Sequence, residues 1–172
     1  MRIIVPFAPG GAVDITARLL GERLQTALGQ SVVIDNRGGA GGNIGADAIA
    51  KAEKDGHTIG LVTATIMAAN KFLYRRSMPF DPVRDLAPIT RVSTGTVLLV
   101  VNSNRPWQNF AQLIEHARRN PGAVTMGSSG TGTVSHLTIS AVARAAGVDI
   151  THVPYRGGGP AISDLLAGTI DM

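Results

Sequence analysis

Glycine constrains this chain most, because 13 of its 21 glycines fall in clusters: Gly10-Gly11, five between Gly38 and Gly45, Gly127 with Gly130 and Gly132, and Gly157-Gly158-Gly159. A residue without Cβ marks a tight turn or a close approach of backbone to another group. Two of the clusters occupy the same kind of place. Pro6-Phe7-Ala8-Pro9-Gly10-Gly11 follows the apolar run Ile3-Ile4-Val5 and precedes an amphipathic stretch, so it joins a strand to a helix N-terminus. There, unbonded N–H groups and the positive end of the helix dipole favour an anion. Gly127-Ser128-Ser129-Gly130-Thr131-Gly132-Thr133 repeats the arrangement and adds four hydroxyls able to donate to a carboxylate or phosphate. A single loop of this kind is also explained as a tight turn with Thr133 as helix cap, whereas two suggest a clamp.

The pattern between the clusters is alternating. Strand candidates are Ile3-Pro6, Val32-Asp35, Thr58-Val62, Ala87-Val92, Thr96-Val101, Thr125-Gly127 and Ile150-Val153. Helical periodicity places Val13, Ala17, Leu20, Leu24 and Leu28 on one face before the stop at Gly29. Further helices are expected from Asn43, as N-cap, to about Lys54, over Met67 to Tyr74, after Asn109, and from near Thr133 and Pro160. Alternation of this kind predicts an α/β chain with mainly parallel sheets and crossover helices. Proline-rich links at Pro79–Pro88 and Ser103–Pro106 divide it into a first lobe, residues 1–102, and a second, 103–172. Ile170-Asp171-Met172 reads as a strand just starting, so the second lobe is expected to be incomplete, with unpaired edges that favour association.

Composition removes several function classes. With 44% hydrophobic and 16% charged residues the chain can build a core, and its longest apolar run, Val97 to Val101, is far below the ~18 residues of a membrane span. There is no cysteine, and the four histidines (57, 116, 136, 152) have no ligand spacing, so neither a metal site nor a cysteine nucleophile is expected. The net charge of +4 comes from dispersed arginines, with Arg75-Arg76 and Arg118-Arg119 as the adjacent pairs and few aromatics for base stacking. That is mild electropositivity favouring anionic ligands rather than a nucleic-acid footprint. Gly-x-Gly-x-x-Gly, Gly-Lys-Ser/Thr and Gly-x-Ser-x-Gly are all missing, and no base is spaced to activate a Ser or Thr, so no catalytic residue is assigned.

Four ordered motifs make the reading specific: Val5-Pro-Phe-Ala-Pro-Gly-Gly-Ala-Val-Asp-Ile-Thr-Ala-Arg18, Asp35-Asn-Arg-Gly-Gly-Ala-Gly-Gly-Asn-Ile-Gly-Ala-Asp47, Gly127-Ser-Ser-Gly-Thr-Gly-Thr-Val-Ser-His-Leu137 and Pro154-Tyr-Arg-Gly-Gly-Gly-Pro-Ala161. Together they resemble the Bug-type solute receptors of tripartite tricarboxylate transporters, over essentially the whole chain. The resemblance implies a two-lobed periplasmic binding protein of Venus flytrap architecture. Such a receptor closes around a small mono- or dicarboxylate, amino acids included, and delivers it to membrane permease subunits. It implies no cofactor and no membrane insertion. Carried onto this chain, the ligand-binding residues are Phe7, Ala8, Pro9, Gly10, Gly11, Ala12 and Asp14 in the first loop. In the second lobe they are Ser128, Ser129, Gly130, Thr131, Gly132, Thr133 and His136. Thr63 and Thr65 after the third strand face the ligand's variable end, and Tyr155 is within reach of the cleft. Met67 stands where family members often have histidine, and Gly38 where they have proline. The competing classes are a ligand-sensing module that signals to a protein partner and an enzyme using the same anion loops.

Blander roles weigh on individual residues. Asp14 in a first helical turn is favoured by the dipole without any ligand, and a bound carboxylate would be repelled unless Asp14 is hydrogen-bonded in place. His136 near a helix N-terminus is expected to be neutral and equally suited to packing. Gly38 to Gly45 reads most simply as a tight turn before the second helix, Trp107 as an anchor of the inter-lobe link, and His57, His116 and His152 as satisfied or surface residues.

Overall fold

Arg2–Val5 (β1) is apolar on both faces because it is a central strand, flanked on both edges and covered above and below. The structure, a computed structural model describing residues 1–172, pairs β1 in parallel with Val33–Asn36 (β2) and Thr58–Gly60 (β3), in the order β2-β1-β3. Arg2 faces Val33 on one side and Thr58 on the other. The helix Ala12–Leu28 (α1) crosses from β1 to β2, and Gly21 lets it lie close, since a Cβ there would stand 3.2 Å from Ile34. Asn43–Ala50 (α2) returns the chain to β3.

A second, separate sheet pairs Thr125–Ser128 (β4) in parallel with Thr151–Pro154 (β5). Phe110–Arg119 (α4) precedes it, with Asn109 accepting from the Gln112 amide as the N-cap. Val134–Ala146 (α5) crosses between β4 and β5, and Gly158–Ala167 (α6) follows. The last residues hold the free edge of β4: the Gly127 amide donates to Met172, the Met172 amide to Thr125, and Asp171 takes the Thr125 amide. These bonds run along one edge of β4, where the sequence suggests a strand, but residues 170–172 form none themselves.

Each sheet has its own core. Ile3, Val5 and Ala17 fill the first, extended by Phe7, Ala46, Ile66 and Phe80; Trp107, Leu113, Ala117, Val124, Met126, Ile139 and Met172 fill the second. Trp107 therefore belongs to the second core, where it packs against His116 with ring centroids 5.0 Å apart.

Several expected elements differ. Ala87–Val92 and Thr96–Val101 are not strands: residues 87–100 make no backbone hydrogen bond, and Ile89, Leu98 and Val100 are exposed. A strand exists only as a pair, and neither segment lies along the open edge of β2 or β3. The helix after Asn43 ends at Ala50 rather than Lys54, and Gly42, at φ 93°, occupies the cap position in place of Asn43. Asn43 is buried instead, accepting 2.7 Å from Asn70 Nδ2. Met67–Tyr74 is composite, a π-helical turn over Thr65–Ala69 running into the α-helix Asn70–Leu73 (α3).

Candidate functional site

The first loop is built on a buried carboxylate. Asp14, 2% exposed, accepts from the Gly10 amide at 2.9 Å, from Arg18 Nε at 3.0 Å and from Asn36 Nδ2 at 2.9 Å. Asn36 also donates to the Phe7 carbonyl, so strand β2 holds the loop from beneath. Burial by itself would raise the Asp14 pKa, but the hydrogen bonds from Arg18, Gly10 and Asn36 outweigh it and bring it to about 2. Asp14 is thus an internal brace with both oxygens engaged. Phe7 points into the core, and Pro9, Gly10 and Ala12 are exposed. Beyond Gly10, the amides of Gly11, Ala12 and Val13 have no partner within the chain, as expected of a first helical turn.

The second loop is internally bonded to a greater degree. Ser128 Oγ accepts from the Gly130 amide, Ser135 Oγ from Ser129, His136 Nδ1 from Gly132, and the Gly130 carbonyl from both the Thr133 amide and its hydroxyl. Ser128 and Thr133 are buried, so their hydroxyls shape the loop from within. Thr131 is exposed, and its carbonyl accepts from Tyr74 Oη at 2.8 Å, a bond from the first sheet's side to the second's. Ser129 Oγ has no partner in the chain, and the amides of Val134, Ser135 and His136 are likewise unbonded at the start of α5.

The two loops meet through a third. Glycines 157–159 open α6, and the Arg156 carbonyl just before them accepts from the Ala8 amide at 2.7 Å. A Cβ on Gly159 would stand 2.2 Å from the Pro9 carbonyl, and one on Gly157 2.8 Å from the Ala8 amide. Gly158 lies between the other two elements, with its Cβ position 3.7 Å from both Gly11 Cα and Ser129 Oγ. The N-termini of α1, α5 and α6 therefore converge around Gly158. The Gly38–Gly45 cluster follows the same rule: added Cβ atoms would meet the Arg156 carbonyl at 2.7 Å from Gly38, and the Thr131 carbonyl at 2.5 Å from Gly41. This segment is more than a turn, since it carries one wall of a groove of about 370 Å³. Gly38–Gly41, Ile44 and Tyr74 face Thr131 and Pro154–Arg156 across it.

Of the residues expected at the site, Ala8, Pro9, Gly10, Gly11, Ser129, Gly130, Thr131 and Tyr155 lie around this convergence or its groove. Tyr155 Oη donates to Asp164 at 2.5 Å; burial first, and then that carboxylate, push its pKa up to about 12. Thr63 and Thr65 bond each other at 3.0 Å after β3. Sequence reasoning did not assign Tyr74 or Gly157–Gly159 to the site, and it weighed Arg156 as either a cleft residue or a solvated surface charge. The signal was available, because glycine clusters in both lobes, with φ of both signs, mark backbones in mutual contact.

A model of the tripartite tricarboxylate transporter family receptor matches residues 16–172. The chain belongs to this family. Among curated receptor relatives it is 45% identical over 98% of its length to the UPF0065 protein in the tcbD-tcbE intergenic region of Pseudomonas sp. strain P51, covering 50% of that protein. It is 38% identical over 99% of its length to BugT of Bordetella pertussis, covering 52%. It spans about half the length of these relatives. Among solved structures, the family fold recurs in the periplasmic binding protein BugD (33% identity, TM-score 0.85, 99% of this chain and 56% of that one). It recurs in Rpa4515 of R. palustris with adipate (37%, 0.87, 99% and 57%) and in MatC of Rhodopseudomonas palustris with bound malate (30%, 0.90, 99% and 58%). The architecture is that of periplasmic binding proteins, and these relatives are receptors rather than enzymes. No helix is long and apolar enough to cross a membrane.

Proposed function

We propose that this protein is a periplasmic receptor that holds a small mono- or dicarboxylate between lobes 1–102 and 103–172 and passes it to the permease subunits of a tripartite tricarboxylate-type transporter. The observation that carries the proposal is the convergence of three helix N-termini around Gly158, with unbonded amides on α1 and α5 and the Ser129 hydroxyl beside them. Amide groups fixed in place stabilise a carboxylate without having to reorganise when it arrives. The groove beside them, about 370 Å³, falls in the range of small-molecule sites, and the loop glycines leave its backbone reachable. The structures with adipate and malate support the ligand class.

Chemistry is not required by this arrangement. Both Ser128 and Thr133 are buried within the loop fabric, so neither hydroxyl is presented as a nucleophile. Calorimetry with malate, adipate and their diamides tests the reading. The acids should bind and the diamides should bind at least about tenfold more weakly, because they lack the charge that the dipoles favour. Replacing Thr131 by Val, which removes one exposed hydroxyl at nearly constant shape, should weaken acid binding by roughly tenfold. Equal affinity for acid and diamide would overturn the carboxylate reading.

A further inference from the structure

Behind the second-lobe loop lies a three-membered polar cluster that the binding surface itself does not use. Ser128 Oγ stands 2.6 Å from His152 Nε2, and the His152 ring stacks on His136 at 4.0 Å between centroids, 28° from parallel. Donor and acceptor roles follow from counting protons. Ser128 Oγ accepts from the Gly130 amide at 3.1 Å and is 1% exposed with no other acceptor beside it, so the assignment that leaves no buried hydroxyl proton unpaired sends that proton to His152. His152 Nε2 must then be the bare nitrogen, with the ring proton on Nδ1. His136 accepts from the Gly132 amide on Nδ1, so it carries its proton on Nε2.

We propose that His152 is a positioning residue for the ligand loop: acting through Ser128, its neutral ring fixes the Gly130 amide and with it the Ser128–Thr133 turn. A protonated His152 would present N–H to the serine hydroxyl, which would have to turn away from a partner that no longer accepts. It would also place a cation against the face of His136. The other ionisable groups on the surrounding elements have partners or lie outward. His116 on α4 packs on Trp107, and Arg118 reaches the Ala146 carbonyl. Glu115 pairs with Arg119 and Arg144 is exposed; Asp164 on α6 takes Tyr155 Oη, and Asp171 beside β4 pairs with Arg105. None stands ready to neutralise a cationic His152. Burial, and then His136, accordingly lower the His152 pKa below its ordinary value.

The inference depends on the carboxylate reading only for what the loop holds, so its test has a ligand-free arm. Nitrogen-15 NMR of the imidazoles should show His152 protonated on Nδ1 at neutral pH, with the Gly130 amide shift following its titration. In His152→Gln, which keeps an acceptor near the Nε2 position but cannot titrate, the Gly130 shift should no longer move. In the ligand arm, wild-type affinity for malate should fall about tenfold between pH 7.5 and pH 5, and that of His152→Gln should stay within about twofold. A proton on His152 Nε2 at neutral pH, or a Gly130 amide that titrates alike in both proteins, overturns the proposal. If malate binds neither protein, the carboxylate reading fails, while the Gly130 titration still decides the role of His152.

Discussion

The loops after β1 and after β4 have the same place in their sheets, yet they are stiffened by different chemistry. In the first, a buried carboxylate gathers Gly10, Arg18 and Asn36, and the amides beyond Gly10 are left open. In the second, hydroxyls and imidazole nitrogens take the amides of Ser129, Gly130 and Gly132. A charged brace is strong but depends on its counter-charge; a neutral one has no counter-ion and here leans on His152, whose pKa burial lowers below its ordinary value, so that acid works against it. The first loop should therefore tolerate moderate acid, and the second should not.

The contact that both loops share is the most vulnerable. Gly159→Ala puts a Cβ into the Pro9 carbonyl, so the α6 N-terminus must withdraw from the first loop; malate affinity by calorimetry should fall by roughly a hundredfold. Next comes the brace itself. Asp14→Ala removes the shared acceptor of the Gly10 amide, the Arg18 guanidinium and one Asn36 N–H and should destabilise the protein by about 2 kcal/mol in urea unfolding, with the second loop's NMR shifts unmoved.

Acid separates the two loops directly. Asp14 has a folded pKa near 2 against an ordinary 3.8, so its contribution is complete above about pH 4 and is lost as pH falls towards 2. That contribution is on the order of 1–2 kcal/mol, allowing for the exposure of Arg18. His152 is depressed instead, so the unfolded chain takes up its proton first and stability declines as pH drops below about 6.5. Stability curves of wild type and His152→Gln should diverge below that point, whereas those of wild type and Asp14→Asn, apart at neutral pH, should converge below pH 4. The smallest effect is expected from Tyr74→Phe, which removes one hydrogen bond to Thr131 and should cost about 1 kcal/mol without altering either pH profile.

Much of this comparison was legible in the sequence. Runs such as Ile3-Ile4-Val5 and the spacing of Val13, Ala17, Leu20 and Leu24 are local signals, and the elements they predict are present. The segments Ala87–Val92 and Thr96–Val101 carry the same apolar signature without being strands, because pairing is a property of two segments and only one was in view. The two glycine-rich strand-to-helix loops could be placed from strand–glycine–helix order. What could not be read was which groups the loops would keep for themselves. Whether Asp14 faces a ligand or Arg18 and Asn36, and whether His152 is a surface residue or the support of Ser128, depends on β2 and β5 arriving beside loops far away in sequence. The glycines of 157–159 were visible as a run, but their neighbours at residues 8–11 are some 150 positions distant.

The bond from the Ala8 amide to the Arg156 carbonyl joins the two sheets by main-chain atoms alone. Alanine scanning, charge reversal and the ordinary exchange of side chains over evolutionary time all leave both atoms in place. The groove residues Thr131, Ile44 and Tyr74 can therefore change while the latch between the sheets is inherited unchanged. Only proline at position 8, which lacks the N–H, or an edit of the backbone reaches it: an ester in place of the amide at position 8 deletes the N–H and keeps every side chain, which isolates the latch from everything it holds shut.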